Sequence, residues 1–267
     1  MPEAHPFRLD GRRALVTGGT SGIGRSVALS LARAGADLVI HHLDEPKSAT
    51  ELMCEAQREG VSVTLVEGDF ADDTGPERIA HEALSGGPVD ILILNAAVEH
   101  RMRWTEIDAA QIDRHVATNF TATIRLAQAL IPPMMDRGWG RIVAMGSIMA
   151  ARPRSETLVY AAMKSAQRTA LWAIARDSAA RGVTVNSVSP GAIRTARNDG
   201  VYADPETFAA ITAKIPAGRP GLPEDCIGPI LMLCSDAGGY VNGADIPVDG
   251  GWSIGDPPGA LPQSRSG

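Results

Sequence analysis

The chain of 267 residues predicts an α/β fold, a doubly wound, parallel seven-stranded sheet in a single domain, and three observations carry that reading. A glycine-rich turn, Thr17-Gly18-Gly19-Thr20-Ser21-Gly22-Ile23-Gly24, joins the apolar run Ala14-Leu15-Val16 to the helical stretch Gly24–Ala34. Seven short apolar runs alternate with helical stretches along the whole chain. Polar or turn residues suited to holding a ligand follow directly on five of those runs.

The first element pair reads as strand, turn, helix. Glycines let a backbone turn sharply and approach a ligand, and the free N–H groups of a helix N-terminus favour an anion. A pyrophosphate suits such a turn, but the spacing Gly18-x-x-x-Gly22-x-Gly24 also suits an ordinary strand-to-helix connection. Leu38–His42 is the second strand, Lys47–Glu59 a helix ending at Gly60, and Val61–Val66 the third strand. Pro76–Leu84 is a helix with proline near its first turn, and Val89–Leu94 the fourth strand.

From Ile107 to Arg137 a long helical stretch divides near Asn119, and Pro132-Pro133 should distort its last turns. Arg141–Met145 is the fifth strand. Thr157–Arg181, with Ala161, Ala162, Ala166 and Ala170, is a helix suited to close packing and ends at Gly182. Val183–Val188 is the sixth strand, Asp225–Cys234 a helix and Asp245–Val248 the last strand. Between them, the Gly- and Pro-rich segment Pro190–Pro223 is too long for a simple connector and reads as a lid. The domain is expected to span residues 1–253, with the lid at 192–222 and a poorly ordered tail at 254–267.

Composition narrows the partners. A net charge of −6 with scattered Lys and Arg lacks the dense basic stripe that nucleic acid needs. Met1–Arg13 has no apolar core for a secretory signal, and no stretch approaches the roughly 20 apolar residues of a membrane span. A soluble, cytoplasmic protein is therefore expected. Cys54, Cys226 and Cys234 fit neither a disulfide framework nor a metal site.

In a doubly wound sheet, ligands sit beyond the C-terminal strand ends. That edge should collect Gly18–Gly24, Asp69, Asn95, Ser147 and Pro190. Tyr160 and Lys164, four residues apart, share one helix face and can meet the same ligand. With Ser147 thirteen residues before Tyr160, the set resembles the short-chain dehydrogenase/reductase family in its short, single-domain Rossmann-fold subgroup. The resemblance runs over nearly the full chain. It rests on Thr17–Gly24, Asp69, Asn95-Ala96, Asn119, Ser147, Tyr160 with Lys164, and Pro190-Gly191-Ala192-Ile193-Arg194-Thr195, all in family order.

The resemblance implies an NAD- or NADP-dependent oxidoreductase that interconverts an alcohol and a ketone without a metal. Tyr160 is then the general acid/base, Ser147 bonds the reacting oxygen, Lys164 also holds the nicotinamide ribose, and Asn119 anchors a proton-relaying water. A free tyrosine ionises near pH ~10, so half-ionisation at neutral pH needs a shift of ~3 units, about 4 kcal/mol. Lys164 and an oxidised nicotinamide are expected to supply it.

By the same resemblance the cofactor lies on Gly18, Thr20, Ser21, Gly22, Ile23 and Gly24. Asp69, beside Phe70, takes the adenine amino group, Asn95 and Ala96 fix the loop after the fourth strand, and Pro190, Gly191, Ile193 and Thr195 border the nicotinamide. Ala97 stands where many relatives have glycine, so its φ must stay negative. His42 stands where an acid would favour NAD, and Ser21 and Leu43 where basic residues would favour NADP, so the choice between NAD and NADP stays open. His41 and His42 could donate to a 2′-phosphate or simply bond the surrounding backbone.

The loops that the family uses for substrate carry Glu99, His100, Arg101, Arg152, Arg154 and Glu156. These suit a sugar, a polyol or a small hydroxy or keto acid, with Arg152 or Arg154 forking onto a hydroxyl or carboxylate. A reductase of 3-oxoacyl thioesters and a non-catalytic dinucleotide-binding scaffold or sensor are the rival readings; the intact set Asn119, Ser147, Tyr160 and Lys164 disfavours the scaffold. A homotetramer built on Ile107–Arg137, Thr157–Arg181 and the segment near Gly243–Trp252 is expected from the resemblance.

Overall fold

A computed structural model describes residues 5–255. Seven parallel strands form one sheet: β1 (Arg13–Val16), β2 (Asp37–His42), β3 (Val63–Glu67), β4 (Ile91–Leu94), β5 (Gly140–Met145), β6 (Val183–Pro190) and β7 (Asp245–Val248). Their order is β3-β2-β1-β4-β5-β6-β7. The chain winds outward one way through β2 and β3, then crosses back to β4 on the other side of β1. The crevice between β1 and β4 is therefore the point where ligands bind in sheets of this kind. The register pairs Val16 with both Ile40 and Ile93, which brings the residues that follow these strands to one edge.

Alternation along the strands loads both faces. Ala14, Val16, Leu38 and Ile40 pack with Val27 and Leu31 of α1 (Gly22–Arg33), Leu52 of α2 (Pro46–Gln57) and Ile230 and Leu233 of α9 (Ile227–Cys234). On the other face Leu15, Val39 and Leu92 pack with Ile79 of α3 (Gly75–Ser85), Leu126 and Leu130 of α5 (Ala122–Arg137) and Leu171 of α6 (Leu158–Ser178). Successive strand side chains point to opposite faces, so near-continuous apolar strands require helices on both sides. Among the described residues no helix is long and apolar enough to cross a membrane.

The long helical stretch departs from expectation twice. It begins later, at α4 (Ala109–Val116), where Asp108 accepts a bond from the Gln111 N–H and caps the helix. It divides near Asn119 as expected, through a π-helical turn, Ala117–Thr121, before α5. The last turns, which Pro132-Pro133 were expected to distort, stay helical to Arg137, and α5 ends at Gly138, whose φ is +69°. Pro132 is exposed and Pro133 half-buried, as are Gln128 and Ala129 one turn before them. The carbonyls that the prolines leave unpaired thus lie toward solvent, while Leu130, Ile131 and Met134 hold the inner face in the core.

The segment 192–222 is not an open loop. It carries two short helices, α7 (Asp199–Ala203) and α8 (Pro205–Thr212), the second capped by Asp204 through the Thr207 N–H. Its two ends are stitched together where Ile193 bridges Gly221 and their neighbours exchange backbone bonds, Arg194 N–H to Gly221 O and Gly221 N–H to Ala192 O, both 2.8 Å. Neither helix buries a single residue. The segment thus has a firmly bonded base and a weakly packed top. The expected tail lies outside the described residues from position 256 onward.

Candidate active site

The glycine turn owes its shape to contacts that only glycine allows. Gly18 and Gly22 have φ of +59° and +52°. A β carbon on Gly24 would stand 2.2 Å from the Gly18 carbonyl oxygen and 2.5 Å from Asn95 Nδ2. Asn95 ties the turn down, donating from Nδ2 to the carbonyls of Thr17 and Gly18, both at 2.9 Å. Those bonds also fix the loop after β4, together with Thr17 Oγ1, which accepts from the Asn95 and Ala96 N–H groups. Ser21 precedes α1 in extended geometry with no side-chain cap, so no side chain competes with a ligand for the first-turn N–H groups.

A second brace comes from His41. Its Nδ1 accepts from the Gly18 N–H at 3.2 Å, and Nε2 lies 2.9 Å from the Gly68 carbonyl oxygen, to which it donates. Burial pushes the imidazole down to about 4, so it is neutral at physiological pH and serves the fold rather than a phosphate. His42, beside it, is 5% exposed and its Nδ1 has no partner among the described residues.

Two connected cavities lie along this edge. The smaller, about 380 Å³, runs from the glycine turn past the end of β2 and is lined by Gly18, Thr20, Ser21 and Gly22, by His42, Asp69 and Phe70, and by Asn95 and Ala96. The larger, about 900 Å³, is lined by Ser147, Tyr160, Lys164, Pro190, Gly191 and Ile193, and by side chains of the 192–222 segment. Ile23, Asn95, Tyr160 and Thr195 border both, so they are two ends of one crevice. Thr195 reaches over the turn, its Cγ2 lying 3.3 Å from where a β carbon on Gly22 would be. Asn198 holds that approach, accepting from the Thr195 N–H at 2.7 Å and donating to the Ile193 carbonyl at 2.8 Å.

Asp69 lines the smaller cavity but is already engaged. One carboxylate oxygen accepts from the Ala71 N–H at 2.9 Å and the other pairs with Arg114 at 2.8 Å. Asn119 lines neither cavity. Fully buried in the π-helical turn, it accepts from the Val98 N–H and donates to the Val98 carbonyl, both at 2.9 Å, and so fastens the loop after β4 to the helix layer. A π turn leaves a local gap in the regular helical bonding, a feature common at functional sites. Ala97 keeps a negative φ, since Asp44 is the one non-glycine residue with positive φ among those described.

Ser147, Tyr160 and Lys164 all line the larger cavity, and Tyr160 also borders the smaller one. Ser147 follows β5 and accepts from the Met149 N–H at 3.1 Å. Tyr160 and Lys164 lie on one face of α6, with the Lys164 Nζ 5.8 Å from the Tyr160 ring centroid. The expected depression of Tyr160 by Lys164 is not found. Burial, with the Glu99 carboxylate adding to it, pushes the phenol up to about 12, against a smaller opposing pull from the Ser147 hydroxyl. The ammonium is turned elsewhere: it donates to the Met145 carbonyl at 2.6 Å and to Gln167 Oε1 at 3.3 Å. Burial holds Lys164 down to about 8. Gln167, buried and not anticipated, donates in turn to Thr123 Oγ1 at 2.7 Å and so links α6 to α5 beneath the site.

The two arginines expected at the substrate end differ. Arg152 donates to the Trp252 carbonyl at 2.6 Å and to Ser253, fastening the segment after β7. Arg154 has no such bond among the described residues and lies over the Trp252 ring at 5.6 Å. Glu99 is paired with Arg101 at 2.9 Å. The larger cavity gathers Arg101, Arg152, Arg154, Lys164, Arg197 and Lys214 against the single carboxylate of Glu99 among the described residues. Two of those cations, Arg197 and Lys214, were not among the expected substrate residues, since single charges in polar loops carry no pattern that foretells convergence.

A dinucleotide fits these residues. The glycine cradle has no room for a β carbon at Gly24, the first turn of α1 is uncapped, and the cavity carries on past the unpartnered His42.

Comparisons with known proteins agree. A family model described as enoyl-(acyl carrier protein) reductase matches residues 18–253. The chain is 33% identical over 248 residues to a 2-dehydro-3-deoxy-D-gluconate 5-dehydrogenase of Dickeya dadantii, covering 92% of this chain and 97% of that protein. It is similar to the crystal structure of a gluconate 5-dehydrogenase from Burkholderia cenocepacia in complex with NADP and tartrate, with a TM-score of 0.87, 32% identity and coverage of 94% and 98%. It is similar also to a 3-oxoacyl (acyl-carrier-protein) reductase from Agrobacterium tumefaciens with NADP bound, with a TM-score of 0.88, 34% identity and coverage of 92% and 95%. With the seven-stranded sheet, the glycine cradle and the Ser147, Tyr160 and Lys164 cluster in place, the chain belongs to the short-chain dehydrogenase/reductase family of NAD(P)-dependent oxidoreductases.

Proposed function

We propose that this enzyme interconverts a secondary alcohol and a ketone on a small polyhydroxy or oxo acid. The observation that carries the reading is the position of Tyr160 at the junction of the glycine-turn cleft with a strongly cationic cavity that Ser147 also lines. A nicotinamide dinucleotide, when bound, supplies the hydride acceptor or donor. Residues Gly18, Thr20, Ser21, Gly22, Ile23, Gly24 and Thr195 would hold its phosphates, His42, Asp69, Phe70, Asn95 and Ala96 its adenosine half, and Lys164, Pro190, Gly191 and Ile193 its nicotinamide half.

The proton is handled by the chain's own groups. With its phenol pushed up to about 12, Tyr160 is protonated at neutral pH and is ready to give its proton to a carbonyl oxygen. Ser147, 8% exposed and fixed at its Oγ by the Met149 N–H, keeps its own hydroxyl proton for the same oxygen. In the oxidative direction Tyr160 must lose its proton, and the cation that can help is Lys164, once its ammonium leaves the Met145 carbonyl. Asn119 positions the loop that follows Asn95 and holds the turn through which a water would pass the proton outward.

Substrate charge is read from the cavity, where one carboxylate faces six cations. Arg154, free of the backbone bonds that occupy Arg152, is the better candidate to fork onto a substrate carboxylate. For Arg154→Gln we expect KM for hydroxy acids to rise about tenfold with kcat changed little, the pattern of lost uniform binding. Arg152→Gln should chiefly lower the melting temperature by loosening the Trp252 segment. The check is a screen of sugar acids, polyols, keto acids, 3-oxoacyl thioesters and apolar ketones, followed at the nicotinamide absorbance band. Activity confined to thioesters or apolar ketones would sink the acid reading and favour the rival.

We read residues 1–253 as one domain in which 192–222 closes over the larger cavity, and the enzyme as a cytoplasmic homotetramer. Exposed Trp104, Ile112 and Trp172 on and near the long helices support association. Light scattering of the purified protein should give four times the chain mass of 28.0 kDa; a monomer would overturn it.

A further inference from the structure

We propose that the enzyme selects NAD over NADP and that Glu45 makes the selection. The proposal rests on the dinucleotide reading above and concerns the far end of the smaller cavity, where β2 finishes.

Glu45 stands three residues beyond His42, immediately before Pro46 opens α2. It lines the cavity and its carboxylate accepts from the hydroxyl of Thr20, inside the glycine turn. The carboxylate thus hangs over the turn from the β2 side, although the strand itself ends in a histidine. Glu45 has no ion-pair partner among the described residues, and no Lys or Arg lines that side of the cavity. The cations in the vicinity are committed or distant. Arg114 faces it from α4 but is paired with Asp69 at 2.8 Å. Lys47, two residues on, is almost fully exposed on α2 and turned to Glu51. Arg197, on the turn after β6, lines both cavities and so stands toward their junction. The remaining polar groups at this end are the Ser21 hydroxyl and the buried, unpartnered His42 Nδ1.

These groups can accept from or share bonds with neutral hydroxyls, and a carboxylate about twenty residues beyond the glycine turn is the acceptor that a ribose 2′-hydroxyl needs. They cannot balance a 2′-phosphate. A phosphate near −2 beside an unpaired carboxylate is repelled, and a low-dielectric cleft strengthens the repulsion. Phosphate-holding sites recruit arginine or lysine, and the β2 side offers neither. Several structural neighbours hold NADP; in this chain the Glu45 charge opposes a 2′-phosphate.

Direct binding tests the assignment without relying on turnover. NADH and NADPH are titrated separately into the purified full chain near neutral pH, by calorimetry or nicotinamide fluorescence. The Kd for NADPH should exceed that for NADH by about tenfold or more, a difference of about 1.4 kcal/mol. Glu45→Gln removes the charge and keeps the size, and should weaken NADH while tightening NADPH, so that the ratio of the NADPH to the NADH Kd falls about tenfold or more. Leu43→Arg, on an exposed side chain at the same rim, leaves the N-terminus of α2 intact and should shift the ratio in the same direction. NADPH bound as tightly as NADH by the wild type, or a ratio unmoved by both substitutions, overturns the preference and leaves the oxidoreductase reading standing. Binding of neither dinucleotide overturns both.

Discussion

Tyr160→Phe should lower kcat by about a thousandfold or more while dinucleotide affinity stays within about threefold of the wild type and the melting temperature hardly moves. The substitution deletes one hydroxyl and keeps the ring on α6 where the two cavities join. Nothing else in the crevice can replace the proton carrier. Ser147 is a poor acid, Glu99 is committed to Arg101, and the Lys164 ammonium points to the Met145 carbonyl. Steady-state rates with a responsive substrate, set beside an NADH titration of the same preparation, separate chemistry from binding. A variant that keeps a tenth of the wild-type rate would show that another group moves the proton. Loss of binding together with rate would show that the phenol holds the cofactor instead of acting on the substrate.

Much of this site was legible because its parts are encoded locally. The glycines at 18, 22 and 24 each meet a backbone or side chain that excludes a β carbon or demands positive φ, so the turn is written into residue types. Tyr160 and Lys164 need only helical spacing to share a face. Strand-end positions followed from apolar alternation, which is why Asp69, Asn95, Ser147 and Pro190 arrive together.

What was not legible depends on tertiary direction. Pro132 and Pro133 look like breakers until it is known that their unpaired carbonyls face water. Arg152 and Arg154 are indistinguishable in sequence, and only the path of Trp252 and Ser253 separates them. Glu45 is not marked by the strand's last residue, since the carboxylate that reaches Thr20 belongs to the start of the next helix. The one available signal was an acid directly before the helix-opening Pro46. The Lys164 ammonium was expected beside the phenol; its turn toward Met145 and Gln167 reflects a buried charge taking the nearest acceptors when its solvent is gone.

That buried ammonium leads to the second large effect. Lys164→Met should reduce turnover by about a hundredfold or more, since it removes the cation that can favour an ionised Tyr160 once it turns from the Met145 carbonyl. Yet it should not destabilise the fold at neutral pH. Lys164 is 2% exposed, and burial brings its pKa from an ordinary 10.5 down to about 8. Below pH 8 the folded protein carries a charge that the unfolded chain holds more comfortably, a cost of about 3 kcal/mol by that shift. Above 10.5 both states are neutral and the cost vanishes. Between those limits the unfolded state binds more protons, so wild-type stability gains with rising pH relative to the methionine variant. Methionine removes the cost at every pH but leaves the Met145 carbonyl and Gln167 each short of a donor, which offsets about 1–3 kcal/mol. At pH 7 the two proteins should therefore unfold at similar denaturant concentrations, and by pH 10 the wild type should be the more stable. Denaturant titrations at both pH values measure the difference directly. Parallel curves from pH 7 to 10 would mean that the ammonium is solvated in the folded protein, and the fall in turnover would then need another cause.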